Sequence, residues 1–456
     1  MKLIGIIAEY NPFHLGHAYQ IQKIKDLYPD ALIIVAMSGS FVQRGEPALF
    51  DKFLRTTWAL QTGVHAVVEL PTIFATANAE RFAAGAVRLL SALGITTLAF
   101  GAETDNPSVL WNIAALSESD TVQQNCQRLL AQGLSYGTAL RQAISLSSQQ
   151  GLVNHPTLTK GAQTLNTTDA VNLELSNATL QQVLDGPNNI LALEYIKGIQ
   201  KYKLPLSILP ILRESAHHSR ILPASVSTRH SSRATSLPSG SALREAIKNA
   251  HDEAIKNAHN IDLNSMSRFF PPSIRTSVQE SLRTQNYVDY KRYNDLVHYQ
   301  SRLHTMESLV TLPDFTEGLE RRWTKASEAN SWPLALEQIK SKRYTYARLQ
   351  RMGTYTVLGI TKALQDEAHH IGPTYARLLG FTDMARPWLK AHTHTIPVVQ
   401  KWGPFVQQSA KADLALTNTL LTLDMKATDI QALCNANIDL RSGHEDFYRS
   451  PLYIKV

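Results

Sequence analysis

The chain is poor in cysteine: its 456 residues carry two, Cys126 and Cys434. Two widely separated thiols build no disulfide framework and no metal-ligand spacing, so both are read as buried thiols in a reducing compartment. Charge is also sparse: Asp, Glu, Lys and Arg make up 18% of residues, with a net charge of +7. That balance tolerates a polyanionic partner without demanding one, so local clusters must carry any argument for RNA. No run approaches the roughly 20 apolar residues of a membrane span. Lys2 is followed by a strand-length apolar run and then by Glu9 and Asn11, which is not a signal-peptide pattern. The expectation is a cytoplasmic protein with no membrane partner and no obligatory protein partner. No internal repeat is present, which excludes a solenoid. A hydrophobic content of 44% over this length fits a globular chain of two or three domains.

What is present is concentrated in the first forty-five residues. A short apolar run, Leu3-Ile4-Gly5-Ile6-Ile7, leads through Ala8 into Glu9-Tyr10-Asn11-Pro12-Phe13-His14-Leu15-Gly16-His17, and the pattern continues helically through Ala18, Tyr19 and Gln20. This is a strand, a tight turn and a helix start, with two histidines three residues apart. Gly16 lets backbone approach a phosphate closely. The helix beginning near His17 offers N–H groups and a partial positive charge to an anion. His14 and His17 supply hydrogen bonds to phosphate oxygens as charge develops at the α-phosphorus. An enzyme that forms adenylates or transfers nucleotidyl groups is the first expectation; two histidines that happen to flank a turn are the plain alternative.

The segments Leu3–Ile7, Ala31–Met37, Ala66–Glu69 and Thr97–Phe100 read as buried strands, separated by helical patterns around His17–Leu27, Lys52–Thr62 and Ala79–Leu93. This alternation predicts an α/β fold with a parallel sheet covered on both faces. Ligands bind beyond the carboxyl ends of such strands, where Glu9–His17, Ser38–Gly45 and Gly101–Glu103 would converge. Ile190–Tyr202 and Ser241–Asn249 read as helices and Leu206–Leu212 as a strand, with an insertion over 150–186 and a long loop over Ser215–Gly240. Beyond about 260 strand signals fade. The expected division is an ATP-binding domain over 1–255, a mainly helical domain over 256–400 and a tail or subdomain over 401–456.

Four further clusters bear on chemistry. Ser239-Gly240-Ser241-Ala242-Leu243-Arg244 places small residues before a helix with an arginine one turn in, a second anion cradle. Ser38 to Pro47 offers Gln43 for a base edge and Arg44 for a carboxylate or phosphate. Pro187-Asn188-Asn189 precedes an apolar helix, and Arg213 follows a strand where a cleft arginine would sit. On a continuous helix, Lys340, Tyr344, Arg348 and Arg351 would share one basic and aromatic face suited to RNA, a theme that Arg321 and Arg322 beside Trp323 repeat. A capped surface loop or a solvated charge is the plain alternative for each.

The run from Glu9 to His17, the stretch Ser38-Gly39-Ser40-Phe41-Val42-Gln43-Arg44-Gly45-Glu46-Pro47-Ala48, and Val68-Glu69-Leu70-Pro71 together resemble the bacterial tRNA(Met) cytidine acetate ligase family. So do Ala79-Glu80-Arg81-Phe82-Ala83, Phe100-Gly101-Ala102-Glu103, Pro187-Asn188-Asn189-Ile190-Leu191 and Lys342-Arg343-Tyr344-Thr345. The resemblance implies a Rossmann-like nucleotidyltransferase domain of the HUP type followed by a mainly helical tRNA-binding domain. It implies that acetate is activated by ATP as acetyl-adenylate and passed to N4 of the wobble cytidine of elongator methionine tRNA. His14 and His17 would be catalytic. The ATP site would comprise Ile7, Ala8, Glu9, Tyr10, Asn11, Pro12, Phe13, His14, Leu15, Gly16, His17, Ala18, Tyr19, Gln20, Gly101, Asn188, Asn189 and Arg213, with Mg2+ on the ATP phosphates and no protein metal site. Two competing readings remain from the residues alone. One is an adenylyltransferase acting on a small phosphorylated metabolite, which has no need of a large helical region. The other is an RNA-binding protein with a silent nucleotide site.

Overall fold

The computed structural model describes residues 2–134, 136–149, 180, 183–184, 186–213, 237–257, 266–341, 344–391 and 394–455. Most of the expected 150–186 insertion and of the Ser215–Gly240 loop, together with Lys342 and Arg343, lies outside these residues.

In chain order the first seven strands are β1 (Leu3–Ala8), β2 (Leu32–Ser38), β3 (Phe41–Val42), β4 (Glu46–Pro47), β5 (Ala66–Leu70), β6 (Thr97–Ala102) and β7 (Ser207–Leu212). β3 and β4 pair antiparallel as a small hairpin just after β2. The other five form a parallel sheet in the order β5-β2-β1-β6-β7. The chain winds outward from β1 through β2 to β5, then crosses back to β6 and β7. This doubly wound path leaves a crevice between the carboxyl ends of β1 and β6, where the direction of winding reverses.

Alternation along each strand divides the core in two. Leu32, Ile34 and Ala36 of β2 face a cluster with Phe82, Ala83, Ala86 and Leu90 of helix Ala79–Ala92 and Ala192, Leu193 and Ile196 of helix Pro187–Lys201. Ile33, Val35 and Met37 face Ile21 and Ile24 of helix Leu15–Leu27 and Phe53, Trp58 and Leu60 of helix Lys52–Gln61. The expected α/β fold is therefore present, with its expected strands and helices.

The second half is mainly helical but returns to the same sheet. Helices Tyr290–Leu303, Leu319–Ala326, Trp332–Ile339 and Tyr346–Leu358 pack around Trp323, Trp332 and Tyr293. Three strands then join the β5 side: β8 (Ala376–Thr382) runs antiparallel to β5, and β9 (Val398–Val399) and β10 (Leu452–Ile454) run parallel to β8. They lie in the region beyond about 260 where strand signals fade in the sequence. β8 was illegible because Gly380 interrupts its pattern; a Cβ there would meet Thr56 Cγ2 at 2.7 Å and Leu60 Cδ1 at 2.9 Å.

A buried ionic network secures this return. Lys52 Nζ lies 2.9 Å from Glu69 Oε1 and 2.9 Å from Asp446 Oδ1, and Arg377 Nη1 lies 2.6 Å from Asp446 Oδ1. Thr428, on the long helix Ala415–Leu433, accepts from Lys52 Nζ at 3.0 Å and from Ser40 Oγ at 3.2 Å. Gln431 Nε2 on the same helix donates to Ala48 O at 2.7 Å. The last fifty residues thus brace the Ser38–Phe50 segment from behind. Cys126 and Cys434 are buried and form no disulfide. No described helix is long and apolar enough to cross a membrane.

Candidate active site

A cavity of about 480 Å³ opens at the crevice between the ends of β1 and β6. Ile7, Ala8, Glu9, Tyr10, Asn11, His14, Gly16, His17, Tyr19, Gln20, Gly101, Asn188 and Arg213 line it, as do Gln43, Arg44, Ser239, Gly240, Ser241 and Arg244. Segments about two hundred residues apart in sequence therefore meet on one surface. Pro12, Phe13, Leu15, Ala18 and Asn189 are not on its wall: Phe13 is buried in the core beneath, and Asn189 is fully buried.

The histidine turn is held by its own side chains. Tyr10 takes a left-handed φ of 48° as β1 gives way to the turn. His14 caps helix Leu15–Leu27, its Nδ1 accepting from Gly16 N–H at 3.1 Å. His17 Nδ1 accepts from His14 N–H at 3.2 Å, and the two rings stack with centroids 3.9 Å apart. Leu15 N–H donates to Phe269 O at 3.0 Å and His17 N–H to His14 O at 2.9 Å. The first-turn N–H groups, expected to face an anion, are thus already bonded. Histidine itself serves as the cap, and the hydrogen-bonding capacity passes to the imidazoles.

Burial, reinforced by Arg213 and Arg244, lowers the His14 pKa to about 3. Burial, His14 and Arg213 hold His17 well below the usual histidine value. Both rings are therefore neutral at pH 7. With each Nδ1 accepting a backbone N–H, each Nε2 carries the proton. The pair acts as two fixed neutral donors, suited to phosphate oxygens that gain charge in a transition state.

Positive charge comes from three arginines. Arg213 Nη1 donates to Asn188 Oδ1 at 2.8 Å. Arg244 Nη1 donates to Asn11 O at 2.5 Å, and its Nε lies 3.4 Å from Glu46 Oε1. Arg44 Nη1 donates to Ser241 Oγ at 3.2 Å, joining the Ser38–Pro47 loop to the Ser239–Arg244 cradle. Ser239 caps helix Gly240–Asn257, its Oγ accepting from Ala242 N–H at 3.1 Å. Phe82, Phe100, Ile190, Leu191 and Tyr195 supply an apolar wall. Three arginines and two neutral imidazole donors beside an apolar wall suit a nucleotide: anionic phosphates at one end, a flat base at the other.

One contributor, Arg55, escaped sequence reasoning. Fully buried, it donates from Nη1 to Glu9 O at 2.7 Å and to Ser38 O at 2.9 Å, from Nε to Phe50 O at 2.9 Å, and from Nη2 to Gly39 O. It ties the turns after β1 and β2 together, and its main-chain partners leave no motif. Glu103 follows a recognised strand, so its place was legible, but its partners were not.

The expected basic face on one helix is corrected. Helix Trp332–Ile339 ends before Lys340, and Thr345 caps the next helix, Tyr346–Leu358, by accepting from Arg348 N–H at 3.3 Å. Lys340 and Arg348 therefore lie on different elements, Tyr344 and Arg351 are buried, and Arg348 donates to Asp314 O at 3.1 Å. Helix Leu319–Ala326 keeps an exposed basic row instead: Arg321, Arg322 and Lys325 face outward while Leu319, Trp323 and Ala326 are buried.

Fold and cavity define an α/β protein of the nucleotidyltransferase class. The model of the HIGH Nucleotidyl Transferase family matches residues 1–446. The tRNA(Met) cytidine acetate ligase of Leuconostoc mesenteroides is 33% identical, covering 99% of both chains, and that of Bacillus licheniformis is 32% identical over 91% of this chain and 90% of its own. The crystal structure of Thermotoga maritima TmcAL bound with alpha-thio ATP superposes with a TM-score of 0.82 at 27% identity, covering 100% of each chain. The chain belongs to the HIGH Nucleotidyl Transferase family and, within it, to the tRNA(Met) cytidine acetate ligases.

Proposed function

We propose that this chain activates acetate with ATP and acetylates N4 of the wobble cytidine of elongator tRNA(Met), giving N4-acetylcytidine. The carrying observation is the stacked His14–His17 pair, each Nδ1 accepting a backbone N–H, on a cavity wall at the strand crevice that Arg213 and Arg244 also line. Family membership supports the reaction, and the ATP analogue named for the Thermotoga structure supports the nucleotide. The small-metabolite adenylyltransferase reading finds no support in these relatives.

In the first step an acetate oxygen attacks the α-phosphorus of ATP and pyrophosphate leaves. His14 and His17 donate to the phosphate oxygens that gain charge, while Arg213 and Arg244 balance the anion. In the second step the N4 amine attacks the acyl carbon, the C–N bond forms, AMP leaves with the electron pair of the broken C–O bond, and the amine loses one proton. Cytidine N4 is a weak nucleophile, so positioning carries this step more than a strong base does. Mg2+ would enter on the ATP phosphates and offset their charge; among the described residues no cluster of three or more His, Cys, Asp or Glu side chains suits a metal. The Arg321–Arg322–Lys325 row is assigned to the tRNA backbone.

The test is an incubation with ATP, magnesium, isotopically labelled acetate and bacterial tRNA, followed by mass spectrometry of nucleosides. Labelled N4-acetylcytidine, absent when acetyl-CoA replaces ATP and acetate, is expected. Unlabelled tRNA from a protein that binds ATP would contradict the proposed reaction.

A further inference from the structure

Among the described residues that line the cavity, the carboxylates are Glu9 and Glu103. A carboxylate on the wall of an anion site repels its ligand and therefore needs a compensating role. Glu9 has one: its Oε1 accepts from Gln43 N–H at 2.9 Å and fixes the Ser38–Pro47 loop. Glu103 is bonded more heavily. Its Oε1 accepts from Asn188 Nδ2 at 2.5 Å and from Asn188 N–H at 3.3 Å, and its Oε2 accepts from Asn189 N–H at 2.8 Å. In return, Asn189 Oδ1 accepts from Glu103 N–H at 2.9 Å. The end of β6 and the start of helix Pro187–Lys201 are thus locked reciprocally.

We propose that Glu103 is a positioning residue of the nucleotide site: acting through Asn188, it holds the Arg213 guanidinium beside Gly101 on the cavity wall.

An asparagine amide has a donor end and an acceptor end. A carboxylate accepts only, so Glu103 draws the Asn188 NH2 toward itself and leaves Oδ1 for Arg213 Nη1, 2.8 Å away. Turned the other way, the amide would set NH2 against guanidinium and oxygen against carboxylate. The charge of Glu103 therefore selects the amide orientation that an arginine can use. Glycines on both sides allow this close fit. A Cβ on Gly186 would come within 2.6 Å of Glu103 Oε2, and one on Gly101 within 3.3 Å of Arg213 Cγ. The same bonds occupy the N–H groups at the start of helix Pro187–Lys201. That terminus is unavailable to phosphate, and the anion is directed to the arginines and histidines.

This inference rests on reading the cavity as the ATP site, and the experiment separates the two. Calorimetric titration of the full chain with ATP, without acetate or tRNA, is run for the wild type, Glu103→Gln, Asn188→Ala, Arg213→Gln and the double variant Glu103→Gln/Arg213→Gln. Asn188→Ala leaves Glu103 its backbone partners, so it tests the link even if Glu103→Gln folds poorly. Charge-assisted hydrogen bonds of this kind lead to an expected loss of about tenfold in ATP affinity for Glu103→Gln and for Asn188→Ala. Glu103 acting through Arg213 makes the pair non-additive, so the double variant should bind within about twofold of Arg213→Gln alone. Affinity for tRNA should stay unchanged in every variant, a pattern that general destabilisation does not give. Wild-type affinity in Asn188→Ala, or full additivity in the double variant, overturns the positioning role while leaving the ATP site intact. A wild type that does not bind ATP overturns both.

Discussion

Replacing His14 with asparagine removes a titratable group while retaining an acceptor for the Gly16 N–H, since asparagine is a favoured helix cap. The His14 side chain is nearly enclosed, 3% exposed, and its pKa is pushed down to about 3 by burial, Arg213 and Arg244. Unfolding returns the ring to its ordinary value of about 6.5. Between these values the unfolded chain binds more protons than the folded one. The stabilisation from a neutral His14 is therefore complete above about pH 6.5 and is lost progressively as pH falls toward 3. At pH 5 the loss is set by the distance from the ordinary value, about 1.5 pH units at about 1.4 kcal/mol each, or about 2 kcal/mol. Any folded-state value below about 4 gives nearly the same figure at pH 5. Urea unfolding of the nucleotide-free chain at pH 7 and pH 5 measures it. The wild type should lose about 2 kcal/mol more than His14→Asn between the two conditions. Equal losses would show that the ring is not held neutral, and the two-donor description of the turn would fail with it.

Three more perturbations probe other levels of the molecule. In Gly16→Ala the new Cβ lies 2.9 Å from His14 Cε1 and 3.1 Å from its Nδ1, so the ring must leave its place. Acetylation turnover should fall about a hundredfold with tRNA affinity unchanged, the scale of one lost transition-state donor; a turnover within twofold of wild type would contradict the placement. Lys52→Met removes one of two cations that Glu69 and Asp446 share, the other being Arg377, and should cost about 3–5 kcal/mol of unfolding free energy, read by denaturant titration. A change below about 1 kcal/mol would mean that the network reorganises around Arg377. Paired charge reversal, Arg321→Glu with Arg322→Glu, should weaken tRNA binding and flatten its salt dependence while sparing ATP affinity; unaltered tRNA affinity removes this helix from the interface.

Residues 1–102 were readable because their instructions are local. Leu32–Ser38 is apolar at every position but its last, Pro71 and Asn78 mark breaks, and the two histidines lie one helical turn apart, so spacing alone sets them on a shared helix start. The doubly wound sheet and a cleft at its strand ends follow from such signals, because alternation of strand and helix leaves few ways to bury both faces. The second anion cradle was legible for the same reason: small residues before a helix carry their own geometry. Periodicity failed where a short polar break mattered more than the pattern around it. Lys340 and Arg348 keep helical spacing, yet one helix ends at Ile339 and the next begins only after Thr345.

Everything that turns these local pieces into one site depends on distance in the chain. Arg55 joins Glu9 to Ser38 and Gly39 through carbonyls, which every residue possesses, so no side-chain pattern announces it. Glu103 reaches Asn188, and Asn188 reaches Arg213, across three elements whose proximity exists only after β6 and β7 pair. β8 finds its place beside β5, and Asp446 meets Lys52 nearly four hundred residues away in sequence, because the second half folds back onto an open sheet edge. Local sequence can specify a turn, a cap or a strand, since each depends on neighbours a few positions away. The burial that neutralises His14, the orientation of the Asn188 amide and the enclosure of the charge network are properties of packed surroundings, and these arise only when distant segments meet.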